Sequence, residues 1–213
     1  EMVFSSIQYD YTPRFVRNFP ELIGFLRDEK VNILLFEDGE WMWEFMDGSS
    51  EEEEMVNQLA RDGITIVGGA GNMSGGNMVI IDTLGAGKSE TYTINCSGKP
   101  EEEVKKNDGM FFSFLWRTPE NNIKFKVETP DGKTSEEFST GSGIIKVGQY
   151  KLFYSREVSS KGTVMMKCGI SEEDSGIVRG KFKVSAVSDG GEIVRAYVVD
   201  VTQSWSGNAR WIN

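Results

Sequence analysis

The residues best placed to do chemistry stand at one corner of the chain, where Gly68, Gly69, Ala70 and Gly71 run into Asn72. The small residues let the backbone turn sharply or let another group come close. Asn72 sets a neutral amide donor on the lip of that turn. A Gly-Asn pair also makes an ordinary turn. The corner lacks the lysine and the following helical pattern of a phosphate-binding loop. The chain contains no histidine. A Ser-His-Asp triad needs imidazole to take the serine proton near neutral pH, so this chain by itself is expected to be inactive as a conventional serine peptidase. Ser204 and Ser206 flank Trp205 without a base or a nucleophile elbow and read as turn residues. No serine and lysine are set apart by their surroundings as a dyad. The Asp-Gly pairs do not form a D-x-D-x-D-G calcium loop, and no metal or other cofactor is expected.

The corner needs a scaffold, and the preceding residues supply its pattern. Ile64, Ile66 and Val67 form a short run with no polar face, which predicts a central parallel strand covered on both sides. Residues 49–63 predict a helix: Ser49 or Ser50 as N-cap, four glutamates where the helix dipole favours negative charge, and Gly63 just past the end. Met55, Val56 and Leu59 are its expected buried stripe. Upstream, residues 2–9 are strand-like, and Thr12 with Pro13 fits a helix start followed by irregular structure to about Asn18. A regular helix is expected from near Pro20 to Glu29, with Leu22, Ile23, Phe25 and Leu26 on its core face. Residues 31–36 form the next apolar strand. Strand, helix, strand, helix, strand predicts right-handed crossovers and a parallel α/β sheet over residues 1–72.

After Asn72 the period changes to two. Tyr92, Ile94 and Cys96 alternate with polar residues, as do Ile123, Phe125 and Val127, then Phe182, Val184 and Ala186, then Val194, Ala196 and Val198. Residues 110–116 are almost wholly apolar. Asp131-Gly132 and residues 189–191 read as hairpin turns. This half is expected to be an antiparallel β-sandwich of the jelly-roll kind, giving domains at 1–74 and 75–213. Residues 40–46 are rich in aromatics and methionine and form either a covered interface loop or a ligand-gripping patch. Residues 99–108 are a solvated charged loop.

Bulk properties narrow the partners. A net charge of −10 argues against nucleic acid and anionic membrane, which both call for a basic face. No apolar run approaches the roughly 20 residues of a membrane span. The chain starts at Glu1 without a basic leader, as a fragment or processed product would, and its localisation is not legible. Cys96 and Cys168 lie far apart without CxxC spacing, and read as reduced core thiols or a single disulfide, not a metal site.

The helix, the Gly63-Ile-Thr-Ile-Val67 run and the Ala70-Gly-Asn72 ending together resemble the subtilisin-like serine peptidases. In that family a central strand ends at an oxyanion-hole asparagine, and Asn72 matches it. The resemblance implies that residues 31–39 border the substrate-binding edge. Glu37, Asp38, Gly39, Gly68 and Gly69 would then form that edge, but Glu37 and Asp38 stand where the family has a Ser-x-Gly pattern, and only the glycine is kept. Leu115-Trp116, the Thr129-Pro-Asp-Gly132 turn, the Gly180-Lys-Phe-Lys-Val184 strand and a Trp-containing exit over residues 202–211 resemble the β-sandwich insertion of spore-germination subtilases and related bacterial peptidases. The resemblance implies a central portion of such a hydrolase, completed by partner segments carrying the catalytic Asp, His and Gly-Thr-Ser. Its substrate would be a peptide or protein. The alternatives are a pseudoprotease or regulatory module of the same fold, or a stand-alone sandwich that binds protein or carbohydrate.

Overall fold

The structure, a computed structural model, describes residues 15–36, 43–69, 75–97, 109–173, 178–200 and 209–212, with backbone alone at 15–20 and 36. The chain divides into two compact units, one of residues 1–39 and 46–70, the other of residues 40–45 and 71–213.

In the first unit, helix α1 (Phe15–Asp28) precedes strand β1 (Ile33–Phe36), and helix α2 (Glu51–Arg61) precedes strand β2 (Thr65–Gly68). Helix α1 runs through Pro20 instead of starting beside it. The missing N–H costs one bond to the carbonyl four residues back, while Leu22 and Leu26 keep the helix docked by their burial. Helix α2 opens with a capping box: Ser50 Oγ accepts from the Glu53 N–H at 3.2 Å, and Glu53 Oε2 accepts from the Ser50 N–H at 3.2 Å. Gly63 takes a φ of +89° beyond its end. Leu59 alone of the expected stripe is fully buried; Met55 and Val56 are half-buried.

β1 and β2 pair in parallel, Ile33 with Thr65 through Phe36 with Gly68. The expected α/β fold class is nevertheless not what the chain forms. Among the described residues this four-rung pair is the only parallel sheet, the two helices have 14 and 11 residues, and the strands otherwise form antiparallel sheets. The pair is also not covered on both sides. Leu34 and Ile66 pack with the Leu22, Leu26, Leu59 and Ile64 cluster, but Ile33, Leu35 and Val67 on the opposite face are 67%, 60% and 47% exposed. An apolar run reports that a strand can be covered on both faces, and the described residues of this unit cover only one. The strand expected at residues 2–9 lies outside the described residues.

The second unit is a sandwich of two antiparallel sheets, as period-two alternation requires. The strands are β3 (Val79–Leu84), β4 (Ser89–Cys96), β5 (Gly109–Trp116), β6 (Ile123–Glu128), β7 (Ser142–Val147), β8 (Tyr150–Val158), β9 (Val164–Glu172), β10 (Gly180–Ser188), β11 (Glu192–Asp200) and β12 (Ala209–Ile212). One sheet has the order β12-β4-β10-β6 and the other β3-β11-β5-β9-β8-β7. Their inner faces enclose one core in which Phe112, Phe114, Trp116, Phe125, Phe182 and Ile94 are buried. Phe114 lies 5.0 Å from Phe125, 5.5 Å from Tyr92 and 5.9 Å from Trp211, ring centre to ring centre. Neither Cys96 nor Cys168 is in a disulfide, and both are buried in this core. Cys96 Sγ donates to the Val178 carbonyl at 3.0 Å, and burial pushes the Cys168 thiol well above its ordinary pKa.

Of the two expected hairpin turns, one crosses between sheets and one returns the chain on itself. Residues 189–191 join β10 to β11, which lie in opposite sheets, so this segment crosses between layers. Asn121 Nδ2 clasps it by donating to the Gly191 carbonyl at 2.7 Å. Gly132, at a φ of +78°, does turn the chain back antiparallel along β6, where Glu128 bridges Thr134 and Phe125 bridges Phe138.

Candidate functional site

The candidate corner rests on the packing beneath it. Arg27 near the end of α1 donates to Asp62, the C-cap of α2, from Nε at 2.7 Å and from its terminal nitrogen. Gln58 Nε2 adds a bond to Asp62 at 2.9 Å. The Arg27 hydrogen bond, followed by that of Gln58, holds the Asp62 carboxyl below its ordinary pKa. The Ile64 N–H then bonds the Leu59 carbonyl at 3.1 Å and the Thr65 N–H bonds the Asn32 carbonyl at 2.8 Å, which aligns β2 with β1. Because the strands are parallel and in register, Phe36 and Gly68 end side by side. The chain therefore leaves both strands at the same edge, the carboxyl end, where open parallel sheets place their ligands.

Of the residues the sequence singled out, Gly68 closes β2 and Gly69 follows it, exposed; a Cβ at either position would meet nothing within 4 Å. Among the described residues, then, neither glycine is required there by close packing. Asn72, Glu37, Asp38 and Gly39 lie outside the described residues, as do Ser204 and Ser206. Among the described residues no cluster of three or more Cys, Asp or Glu could hold a metal ion.

The aromatic loop is partly settled. Trp43 packs edge-on against Phe111 of β5 with ring centres 5.0 Å apart, so this part of it is a covering element. Trp43 adopts a φ of +67°, a conformation an indole-bearing residue seldom takes. Residues 40–42 lie outside the described residues.

Sheet register also brings together residues that no sequence spacing could join. Ser113 on β5 stands directly across from Lys167 on β9 and Tyr197 on β11. Its hydroxyl is fully buried and has no hydrogen-bond partner among the described residues. This is not a working Ser-Lys dyad. Lys167 Nζ lies 2.8 Å from Glu157 Oε2, and Ser113 is sealed from solvent, so no substrate reaches its oxygen. The signal that could have found the group is the outward phase of β5, which an almost wholly apolar strand conceals.

No protein-family model matches the sequence, and a comparison with curated proteins finds no match. Among solved structures, the chain is similar to the Clostridium perfringens CspB protease, with a TM-score of 0.76 and 13% sequence identity. The likeness covers 98% of this chain, which spans 43% of that protease's length. The fold is therefore one found within a protease.

Proposed function

We propose that the chain is the central portion of a subtilisin-like serine endopeptidase, with residues 1–74 belonging to the peptidase part and 75–213 to an inserted β-sandwich. The observation that carries this reading is the protease likeness over nearly the whole chain, joined to the Gly68–Asn72 corner that follows the end of β2. In the proposed reaction a peptide or protein substrate lies along the carboxyl-end edge of β1 and β2. The Asn72 amide donates to the carbonyl oxygen as it becomes tetrahedral and negative. The proton transfers and the nucleophile come from partner segments carrying the Asp, His and Ser of the triad, since this chain has no histidine.

The test uses the whole polypeptide that the gene encodes. A fluorophosphonate probe should label a serine outside residues 1–213. Asn72→Ala should lower kcat by about 10²–10³-fold, the loss known for removing the corresponding donor of subtilisin and carried over here. A whole polypeptide with no histidine and no reactive serine would defeat the proposal. Glu37 and Asp38 favour a second reading, a pseudoprotease that binds without cleaving, because acidic side chains replace the expected Ser-x-Gly edge. That reading holds if the whole polypeptide keeps the fold, replaces the triad residues and still retains peptides.

A further inference from the structure

Among the described residues, one side of β3 is left unpaired. β3 ends the six-stranded sheet, with β11 on one side and no described strand on the other. The Val198 N–H bonds the Met78 carbonyl at 2.9 Å, which fixes the phase of the ladder. Met78, Ile80 and Asp82 turn their main-chain groups toward β11, so those of Val79, Ile81 and Thr83 face outward. The Thr83 N–H is already taken by Asp82 Oδ1 at 2.7 Å. The rungs without a partner among the described residues are therefore Val79 and Ile81.

Side chains alternate in the opposite sense to this open edge. Val79 and Ile81, 50% and 64% exposed, project from the outer face of the sheet, where Ile193 on β11 is also 59% exposed. Ile80 and Asp82 project inward, into a cleft of about 460 Å³ between the two sheets, also lined by Glu90, Tyr92 and Ile212. Tyr92 donates to Asp82 Oδ2 at 3.0 Å, and its burial, reinforced by Asp82, raises its pKa and keeps it a neutral donor. The charge of Glu90 adds to that rise.

We infer that β3 accepts an extended basic segment of a partner protein as a further strand. Its main chain bonds the Val79 and Ile81 rungs. Alternate apolar side chains lie over Val79, Ile81 and Ile193, and the intervening lysine or arginine side chains reach Asp82 and Glu90 in the cleft. Charge complementarity selects this occupant, because an added strand must place every second side chain beside two carboxylates of a chain with net charge −10.

A short capped peptide alternating valine with lysine, carrying a fluorophore, is titrated into the whole 213-residue chain and followed by anisotropy. It should bind, while the valine–glutamate counterpart should not, and salt should weaken the complex. Glu90→Gln should lower affinity by about tenfold. Ile81→Pro removes one outward N–H at an edge where proline is tolerated, and should abolish binding with the thermal midpoint nearly unchanged. Equal binding of both peptides, or unaltered binding to the Ile81→Pro chain, overturns the inference. So does self-association of the Glu90→Gln chain without peptide binding, because the carboxylates would then serve only to keep the edge unpaired.

Discussion

Trp116 and Trp211 allow one substitution to be made twice with different expected consequences. Both indoles are buried, at 1% and 2% exposure, and both belong to the sandwich core. Trp116 lies 6.3 Å from Phe125, and Trp211 lies 6.2 Å from Tyr92. They differ at the ring nitrogen. Trp116 Nε1 donates to the Asn121 carbonyl at 3.1 Å, and the Arg156 guanidinium stands 5.8 Å from the ring centre. Trp211 Nε1 is buried with no partner among the described residues. Replacing either by phenylalanine removes about the same ring volume, on the order of 1–2 kcal/mol, and this cancels in the comparison. At Trp116 the change also loses a hydrogen bond, ~1 kcal/mol net, and weakens a cation–π contact by ~0.5 kcal/mol. At Trp211 it removes a donor stranded away from water, which restores ~1–3 kcal/mol. Trp116→Phe should therefore cost about 3 kcal/mol and Trp211→Phe about zero, a difference of roughly 2.5–4.5 kcal/mol. Urea titration of the two variants measures that difference directly. By heat, the midpoints should separate by about 5–18 °C, at ~2–4 °C per kcal/mol for a chain of this size. Equal losses at both positions would refute the reasoning, because the nitrogen environments would then be alike.

Three other outcomes follow from particular contacts. Gly180→Ala should destabilise the sandwich by about 1–3 kcal/mol, since Gly180 has a φ of +103° and a Cβ there would sit 2.8 Å from two Pro130 carbons; a neutral denaturation midpoint would contradict this. Ser50→Ala should cost about 1 kcal/mol and fray the amide of Glu53 in hydrogen exchange, because the capping box loses its hydroxyl; unchanged protection would count against it. The folded Asp62 carboxyl lies below its ordinary value of 3.8, so its stabilisation is present above the unfolded pKa and is lost as pH falls through the folded one. An NMR titration should find that midpoint below 3.8 and find it raised by Arg27→Ala; an unmoved midpoint would exclude Arg27 as the cause.

Local signals were the legible ones. Ser50, Glu53 and Gly63 announce α2 because a cap depends on residues three or four apart, and the alternation around Tyr92, Phe125, Phe182 and Val194 announces strands because their period is two. Partnership was not legible. Nothing in Ile33, Leu35 and Val67 tells a strand covered on two faces from one covered on a single face, so the α/β class inferred from them was wrong. Residues 189–191 carry the composition of a tight hairpin, but whether such a turn returns to its own sheet depends on where Asn121 and Ala86 hold it. The juxtaposition of Ser113 with Lys167 and Tyr197 is a matter of register alone. At the proposed site, Gly68 and Gly69 were found where the apolar run ends, and Asn72 rests on the residues themselves.

The placement of β4 has a consequence for the order in which the protein can mature. Its neighbours are β10 and β12, so Tyr92, Ile94 and Cys96 are made long before either flank exists. Gly180 emerges roughly 80 residues after Cys96, a delay on the order of ten seconds at ~5–20 residues per second of synthesis. Throughout that interval a sticky ribbon waits on the ribosome, open to any nascent chain nearby. Slowing translation between the two strands should therefore lower the soluble yield, whereas slowing it after Ile212 should not.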